Sequence, residues 1–187
     1  MNSRTSSRPR RWILIGIPVL FGIGSGIHSL YNILNQNMIV GLFAPVNESI
    51  WEHSKMVIWP VILWWLLYFG FRGRQYDIEK SSWYAGALGA LVTALIAMPM
   101  LYYFYTAAFG VELLWVDIVI LLAALALGQL MGLHIYRCSD GLPPALVLLI
   151  FAAIILVFLL FTFYPPHIPL FQDGMTGTYG MEASLSP

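Results

Sequence analysis

Long apolar segments alternate with short polar ones along the chain, and this pattern predicts its architecture. Five segments approach the roughly 20 residues that cross the hydrocarbon core of a bilayer. They lie at about residues 12–34, 50–71, 83–105, 114–136 and 143–164. The strict alternation of transmembrane β-strands is absent from them. Because only helices and closed barrels span a bilayer, the sequence predicts an all-α fold: one domain, an integral membrane bundle of five transmembrane helices.

Composition supports a protein whose main partner is the lipid bilayer. Of the 187 residues, 59% are hydrophobic and 10% are charged, whereas roughly a quarter of a soluble domain is charged. The net charge is zero and the basic residues are few, so no nucleic-acid partner is expected. The single cysteine, Cys138, excludes an internal disulfide.

Lysine and arginine positions predict how the bundle is oriented. The basic residues lie before the first span, between the second and third, and after the fourth: Arg4, Arg8, Arg10, Arg11, Arg72, Arg74, Lys80 and Arg137. The opposite side has none, apart from Lys55 at the start of the second span. The positive-inside rule therefore places the basic tail 1–11 in the cytoplasm and the tail 165–187 outside. The first apolar run is too long for a signal-peptide core and no A-x-A site follows it, so we expect it to remain as a span.

The stretch FAPVNESIWEHSK concentrates polar residues between two apolar segments. Part of this polarity is typical of a helix start. Asn47 is a good N-cap, with Val46 and Trp51 spaced as a hydrophobic staple. One register later, Ser49 and Glu52 form a capping-box pattern. Both registers predict a structural cap here, formed by Asn47 or by Ser49.

Capping does not account for all of the polar groups on this side of the membrane. At the start of the second span, Glu48 and Glu52 are four residues apart, as are Ser49 and His53, which is a helical step. Other parts of the chain add further groups, so that six share one predicted side: His28, Glu48, Glu52, His53, Asp117 and His167. Ionisable residues in a membrane are costly and often functional. We therefore expect them to converge near the outer boundary of the membrane.

These residue types predict metal or acid–base chemistry. The candidate catalytic residues are Glu48, Glu52, His53 and Asp117, and the candidate metal ligands are His28, His53 and His167. Neutral histidines and carboxylates suit zinc with an open position for water. One glutamate would then act as general base while the metal acidifies the water.

Each candidate also has a structural interpretation. His28 can hydrogen-bond a neighbouring helix, Asp117 can pair with Lys55, and His167 can be an ordinary loop residue. Small residues elsewhere, such as the GIGSG stretch at 22–26, are typical of close helix packing.

Three classes of function fit this pattern. The first is a membrane hydrolase or transferase that acts on a lipid or envelope substrate. The second is a transporter or proton-coupled protein, and the third is a structural or assembly subunit. The sequence contains no H-E-x-x-H, paired-cysteine or G-x-S-x-G signature, so spacing alone selects none of them.

Two motifs resemble those of a known family. The stretch PVNESIWEH with a lysine two residues later, the upstream histidine of the first span and the tail YPPHIPLFQDGMTGTYG are similar to an uncharacterised family of small bacterial multi-pass membrane proteins. The resemblance covers most of the chain. It implies a shared membrane fold and no catalytic role for any residue.

Overall fold

The computed structural model describes residues 7–181, and within that range the chain is helical with no strand. Helices long and apolar enough to cross a membrane are α1 (Ser7–His28), α4 with α5 (Ile50–His53 and Lys55–Arg72), α6 (Lys80–Phe109), α7 (Leu114–Cys138) and α8 (Pro144–Phe163). Short helices α2 (Leu30–Ile33) and α3 (Met38–Gly41) link the first two spans, and a 3-10 turn at Pro169–Phe171 follows α8. The prediction of five spanning helices is confirmed in length and composition. Arg4 and the outer parts of both predicted tails, 1–6 and 182–187, lie outside the described residues.

The helix bounds differ from the predicted spans mainly in the first and third segments. The first helix ends at His28, before the predicted boundary at residue 34, and α2 continues the chain to Ile33. Asn35 and Gln36 then adopt left-handed conformations, with φ of 54° and 55°, which ends the helical segment.

The helix α6 extends beyond its predicted span at both ends because both ends are capped. The Glu79 side chain accepts hydrogen bonds from the backbone N–H groups of Ser81 and Ser82, and Gly110 with φ of 66° ends the helix. Burial opposes ionisation of Glu79, but hydrogen bonds from Ser82 and Ser81 outweigh it and lower its pKa to about 2.

Small residues let the helix backbones approach closely. A Cβ atom on Gly132 of α7 would lie 2.7 Å from the carbonyl oxygen of Gly86 on α6, so only glycine fits there. In the GIGSG stretch, a Cβ on Gly24 would lie 2.7 Å from the Met56 carbonyl oxygen, whereas Gly22 has nothing within 4 Å. The predicted role in packing therefore applies to Gly24, where α1 crosses α5.

Aromatic side chains join the helices around this core. The indole rings of Trp12 on α1 and Trp64 on α5 stack at 4.0 Å, and each Nε1–H donates to the other residue's carbonyl oxygen. Trp51 of α4 stacks on Phe158 of α8 at 3.9 Å. The first, second and fifth spans are thereby fixed relative to one another.

The connecting segments gather at the two ends of the bundle. At one end, the Arg8 guanidinium lies 4.8 Å from the centre of the Tyr76 ring, and the Leu142 N–H donates to the Ser81 carbonyl oxygen. At the other end, which we call the tail end, the loop 42–49 meets the C-terminal segment 164–181. The candidate site lies at the tail end.

Candidate functional site

Three of the predicted residues meet at the tail end: His28 at the end of α1, Glu48 in the loop before α4, and His53 at the end of α4. The Nε2 atoms of His28 and His53 are 3.1 Å apart. Glu48 Oε2 lies 3.4 Å from Nε2 of His28 and 3.3 Å from Nε2 of His53. We call these residues the triad.

The triad has the dimensions of three corners of a tetrahedral metal site. Zn²⁺ with bonds of about 2.0–2.1 Å holds its ligand atoms roughly 3.3–3.4 Å apart. The three separations of 3.1, 3.3 and 3.4 Å match that spacing. Two imidazole nitrogens and a carboxylate oxygen are also ligands that zinc accepts. The three side chains could therefore hold the ion with little movement.

The backbone fixes which nitrogen of His53 faces the triad. His53 Nδ1 lies 2.8 Å from the carbonyl oxygen of Ser49, and since a carbonyl only accepts, Nδ1 carries the proton. In the neutral ring, Nε2 then presents a lone pair towards the Glu48 carboxylate. A cation, either a proton or a metal, would bridge these two facing acceptors. A backbone carbonyl behind the ring is also the usual support of a metal-bound histidine.

The Glu48 carboxylate is ionised and partly accessible. Interaction with the His28 and His53 rings holds the pKa of Glu48 well below its usual range. The side chains of His28, His53 and Glu48 are 36%, 19% and 42% exposed, respectively. One side of the triad is therefore open to a further ligand.

The C-terminal segment holds Glu48 in place from behind. Asp173 Oδ2 accepts the Glu48 backbone N–H at 3.2 Å, while Oδ1 accepts the N–H groups of Met175 and Thr176. The Asn47 amide donates to the Gly180 carbonyl oxygen at 3.1 Å. Asp173 was not among the predicted site residues, although the Asp-Gly pair in QDGMTG is a turn signal.

Ser49 is the cap of α4, as the second of the two capping registers predicts. Its Oγ accepts the Glu52 N–H at 3.2 Å. Asn47 instead accepts the Ser49 N–H at 3.0 Å, which forms a turn before the cap. The capping box is incomplete, because the Glu52 side chain accepts the N–H of Val46.

The structure does not bring Glu52 into the triad. Its Oε2 lies 2.5 Å from Lys55 Nζ, which also donates to the Gly41 carbonyl oxygen at 2.7 Å. Both side chains are buried, with 1% of Glu52 and none of Lys55 exposed. Successive residues of a helix point about 100° apart, so Glu52 and the neighbouring His53 face different surroundings. Lys55 is also not the partner of Asp117.

The remaining two predicted residues are placed differently from each other. The His167 ring contacts the Tyr179 ring at 4.5 Å, and among the described residues the metal-compatible group contains His28, Glu48 and His53 without it. Asp117 lies on α7 and accepts a hydrogen bond of 2.7 Å from the Tyr105 hydroxyl. Asp117 shares a cavity with the triad.

That cavity has a volume of about 620 Å³ and lies between the first four spans and the C-terminal segment. Its polar residues are at the tail end, where the triad is joined by Ser25, Tyr102, Glu112 and Asp117. The rest of its wall is mainly apolar: Phe21, Ile50, Met56, Met98, Leu114, Ile118, Ile120, Leu121, Gly174 and Met175. The triad therefore lies at the polar end of a largely apolar space.

Comparison with known proteins identifies the family of this chain. The family of unknown function DUF6512 matches residues 1–181. The chain belongs to this family. No curated protein and no solved structure matches it. The predicted kinship with a family of unknown function is confirmed.

The arrangement in this DUF6512 protein can hold a cation beside an apolar space and place a carboxylate near it. The triad supplies three ligand atoms, and Asp117 supplies a carboxylate from another helix. Such a constellation is suited to activating a water molecule.

Proposed function

We propose that the triad binds one Zn²⁺ ion and that this protein is a membrane hydrolase or transferase acting on a lipid-like substrate. The supporting observation is the triangle of ligand atoms, with sides of 3.1–3.4 Å, at the polar end of a largely apolar cavity. A cavity of about 620 Å³ is within the roughly 300–1,000 Å³ typical of small-molecule sites.

Each side chain of the site has a distinct part in this proposal. His28, Glu48 and His53 bind the metal, and the Ser49 carbonyl orients the His53 ring. The ion lowers the pKa of a bound water, and so supplies a nucleophile at neutral pH. Asp117 is the candidate general base or acid, since it lines the same cavity.

We further propose that the tail end faces outward from a bacterial cytoplasmic membrane. Arg8, Arg72 and the loop containing Tyr76 lie together at the opposite end, where both guanidinium groups are within 6.0 Å of the Tyr76 ring centre. The positive-inside rule makes that end cytoplasmic. The triad would then act on a substrate of the outer leaflet or the envelope.

Metal analysis of the tag-free protein purified in detergent tests the zinc site. We expect about one zinc per chain after loading and buffer exchange, and a loss of most of this zinc in His28→Ala and His53→Ala. His167→Ala is the matched control, because His167 lies outside the triad; it should retain the metal. Equal zinc content in His53→Ala and the intact protein, with both folded by thermal unfolding, would refute the site.

A second candidate function rests on the same facing acceptors. A shared proton can occupy the space between His53 Nε2 and Glu48 Oε2 as a metal can, and this would suit a proton-coupled transporter. Such a protein would bind no zinc. Proton flux in vesicles would then be lost in Glu48→Gln while the substrate leaves chemically unchanged.

A further inference from the structure

Two cavities adjoin at the triad. Beside the larger cavity lies a smaller one of about 270 Å³, lined mainly by polar side chains and backbone: Glu48, Tyr102, Tyr103, Gln172, Asp173, Gly174 and Gly177 with Ile50 and Pro169. Glu48, Ile50, Tyr102 and Gly174 belong to both walls. A metal held by Glu48 would therefore lie between an apolar compartment and a polar one.

This division suits an amphiphile with its reactive bond at the triad. An apolar chain in the larger cavity would bury its surface against residues such as Met98, Ile118 and Leu121. The head group would lie in the smaller cavity beside Tyr102 and Gln172. The larger volume is that of a site for one drug-sized ligand, which accommodates one acyl chain better than the two of a phospholipid.

The charges of the two walls restrict the head group. Carboxylates of Glu48, Glu112 and Asp117 line the larger cavity, and those of Glu48 and Asp173 line the smaller one. None of the described residues lining either cavity is lysine or arginine. A phosphate is usually bound by such basic groups, and here it would face like charges instead.

Glu112 lines the larger cavity and adjoins the head-group compartment through Tyr102. It accepts a hydrogen bond of 2.7 Å from the Tyr102 hydroxyl, and Tyr102 lines both cavities. Glu112 is outside the triad and precedes α7. Its removal should alter the preference for head-group charge without removing a metal ligand.

From these observations we propose that the substrates are single-chain acyl esters or amides whose head group carries hydroxyl or amine groups and no negative charge. The proposal rests on the zinc-dependent function above. In the reaction, the oxygen of water forms a bond to the acyl carbonyl carbon, and the bond from that carbon to the head-group oxygen or nitrogen breaks. The departing atom keeps the electron pair and takes up a proton from the water. The products are a fatty acid and an alcohol or amine.

Two lipids that differ by one phosphate group test the proposal. Monoacylglycerol and lysophosphatidic acid with the same acyl chain are offered separately to the zinc-loaded protein in detergent, and released fatty acid is measured by mass spectrometry. We expect monoacylglycerol to be cleaved roughly tenfold faster or more, because the phosphate meets the carboxylates of Glu112, Asp117 and Asp173, which are not zinc ligands, and no lysine or arginine. In Glu112→Gln this ratio should fall. Cleavage of lysophosphatidic acid at an equal or greater rate would overturn the proposal.

A binding measurement separates this inference from the zinc hypothesis. Native mass spectrometry of the metal-free and zinc-loaded proteins compares retention of the same two lipids. Preferential retention of monoacylglycerol by both forms supports the charge argument, and its absence overturns that argument even if zinc binds. Failure to bind zinc would instead refute the proposed function. Zinc binding with no cleavage of either lipid would contradict the assigned substrate class.

Discussion

The buried Glu52–Lys55 pair allows a quantitative prediction of stability, which tests whether Glu52 has a structural role or acts in the site. Lys55→Met would remove the ammonium from a carboxylate that is 1% exposed. Breaking one partner of a buried pair costs about 3–5 kcal/mol, since the other charge stays buried without compensation. For a chain of this size, 1 kcal/mol corresponds to about 2–4 °C in Tm. We therefore expect Lys55→Met to lower the Tm by about 6–20 °C.

Thermal unfolding in detergent, followed by tryptophan fluorescence, measures this effect. The matched control is the double variant Glu52→Gln/Lys55→Met, which removes both charges and keeps an acceptor for the Val46 N–H; it should recover much of the lost stability. A Tm within about 2 °C of the intact protein in Lys55→Met would refute the reasoning. So would a Glu52→Gln variant that unfolds normally but loses activity, because Glu52 would then act in the site.

Three other predictions follow from the fold. Gly132→Ala should destabilise the protein by about 1–3 kcal/mol in thermal unfolding because its Cβ would lie 2.7 Å from a backbone oxygen, whereas Gly22→Ala, in open space, should not. Glu79→Gln should lower the free energy of unfolding by about 0.5–1 kcal/mol at pH 7. Because the folded-state pKa of Glu79 is lowered to about 2, this difference in stability from the intact protein should shrink as the pH falls from 4.5 towards 2. In a background without the native cysteine, a cysteine at Thr178 should react with an impermeant thiol reagent on intact cells, and one at Gln75 should not; the reverse labelling would contradict the outward orientation.

The sequence predicted the helices because each apolar segment has the length that a bilayer requires. It also selected His28, Glu48 and His53 by their shared side of the membrane, and the structure brings them together. A shared predicted side of the membrane indicates which end of the bundle a residue lies at, and it leaves the direction of each side chain open. For this reason it grouped Glu52 with His53, although adjacent helical residues point about 100° apart.

The tail shows a second limit of reasoning from sequence. His167 was selected because histidine is a common ligand, but its ring contacts Tyr179 instead. Asp173, which accepts the Glu48 N–H from a position 125 residues along the chain, was not selected. Contacts over such a separation depend on how the loop and tail meet, and turn residues alone do not specify this meeting.

The most direct test of the zinc site is X-ray absorption spectroscopy of the zinc-loaded protein. We expect zinc bound by two imidazoles and a carboxylate oxygen at about 2.0–2.1 Å, with a water oxygen completing a tetrahedral shell. His28→Ala should reduce the imidazole scattering to that of one ring. A bound zinc without imidazole scattering, or an identical spectrum in His28→Ala, would contradict the assignment of the triad as its ligands.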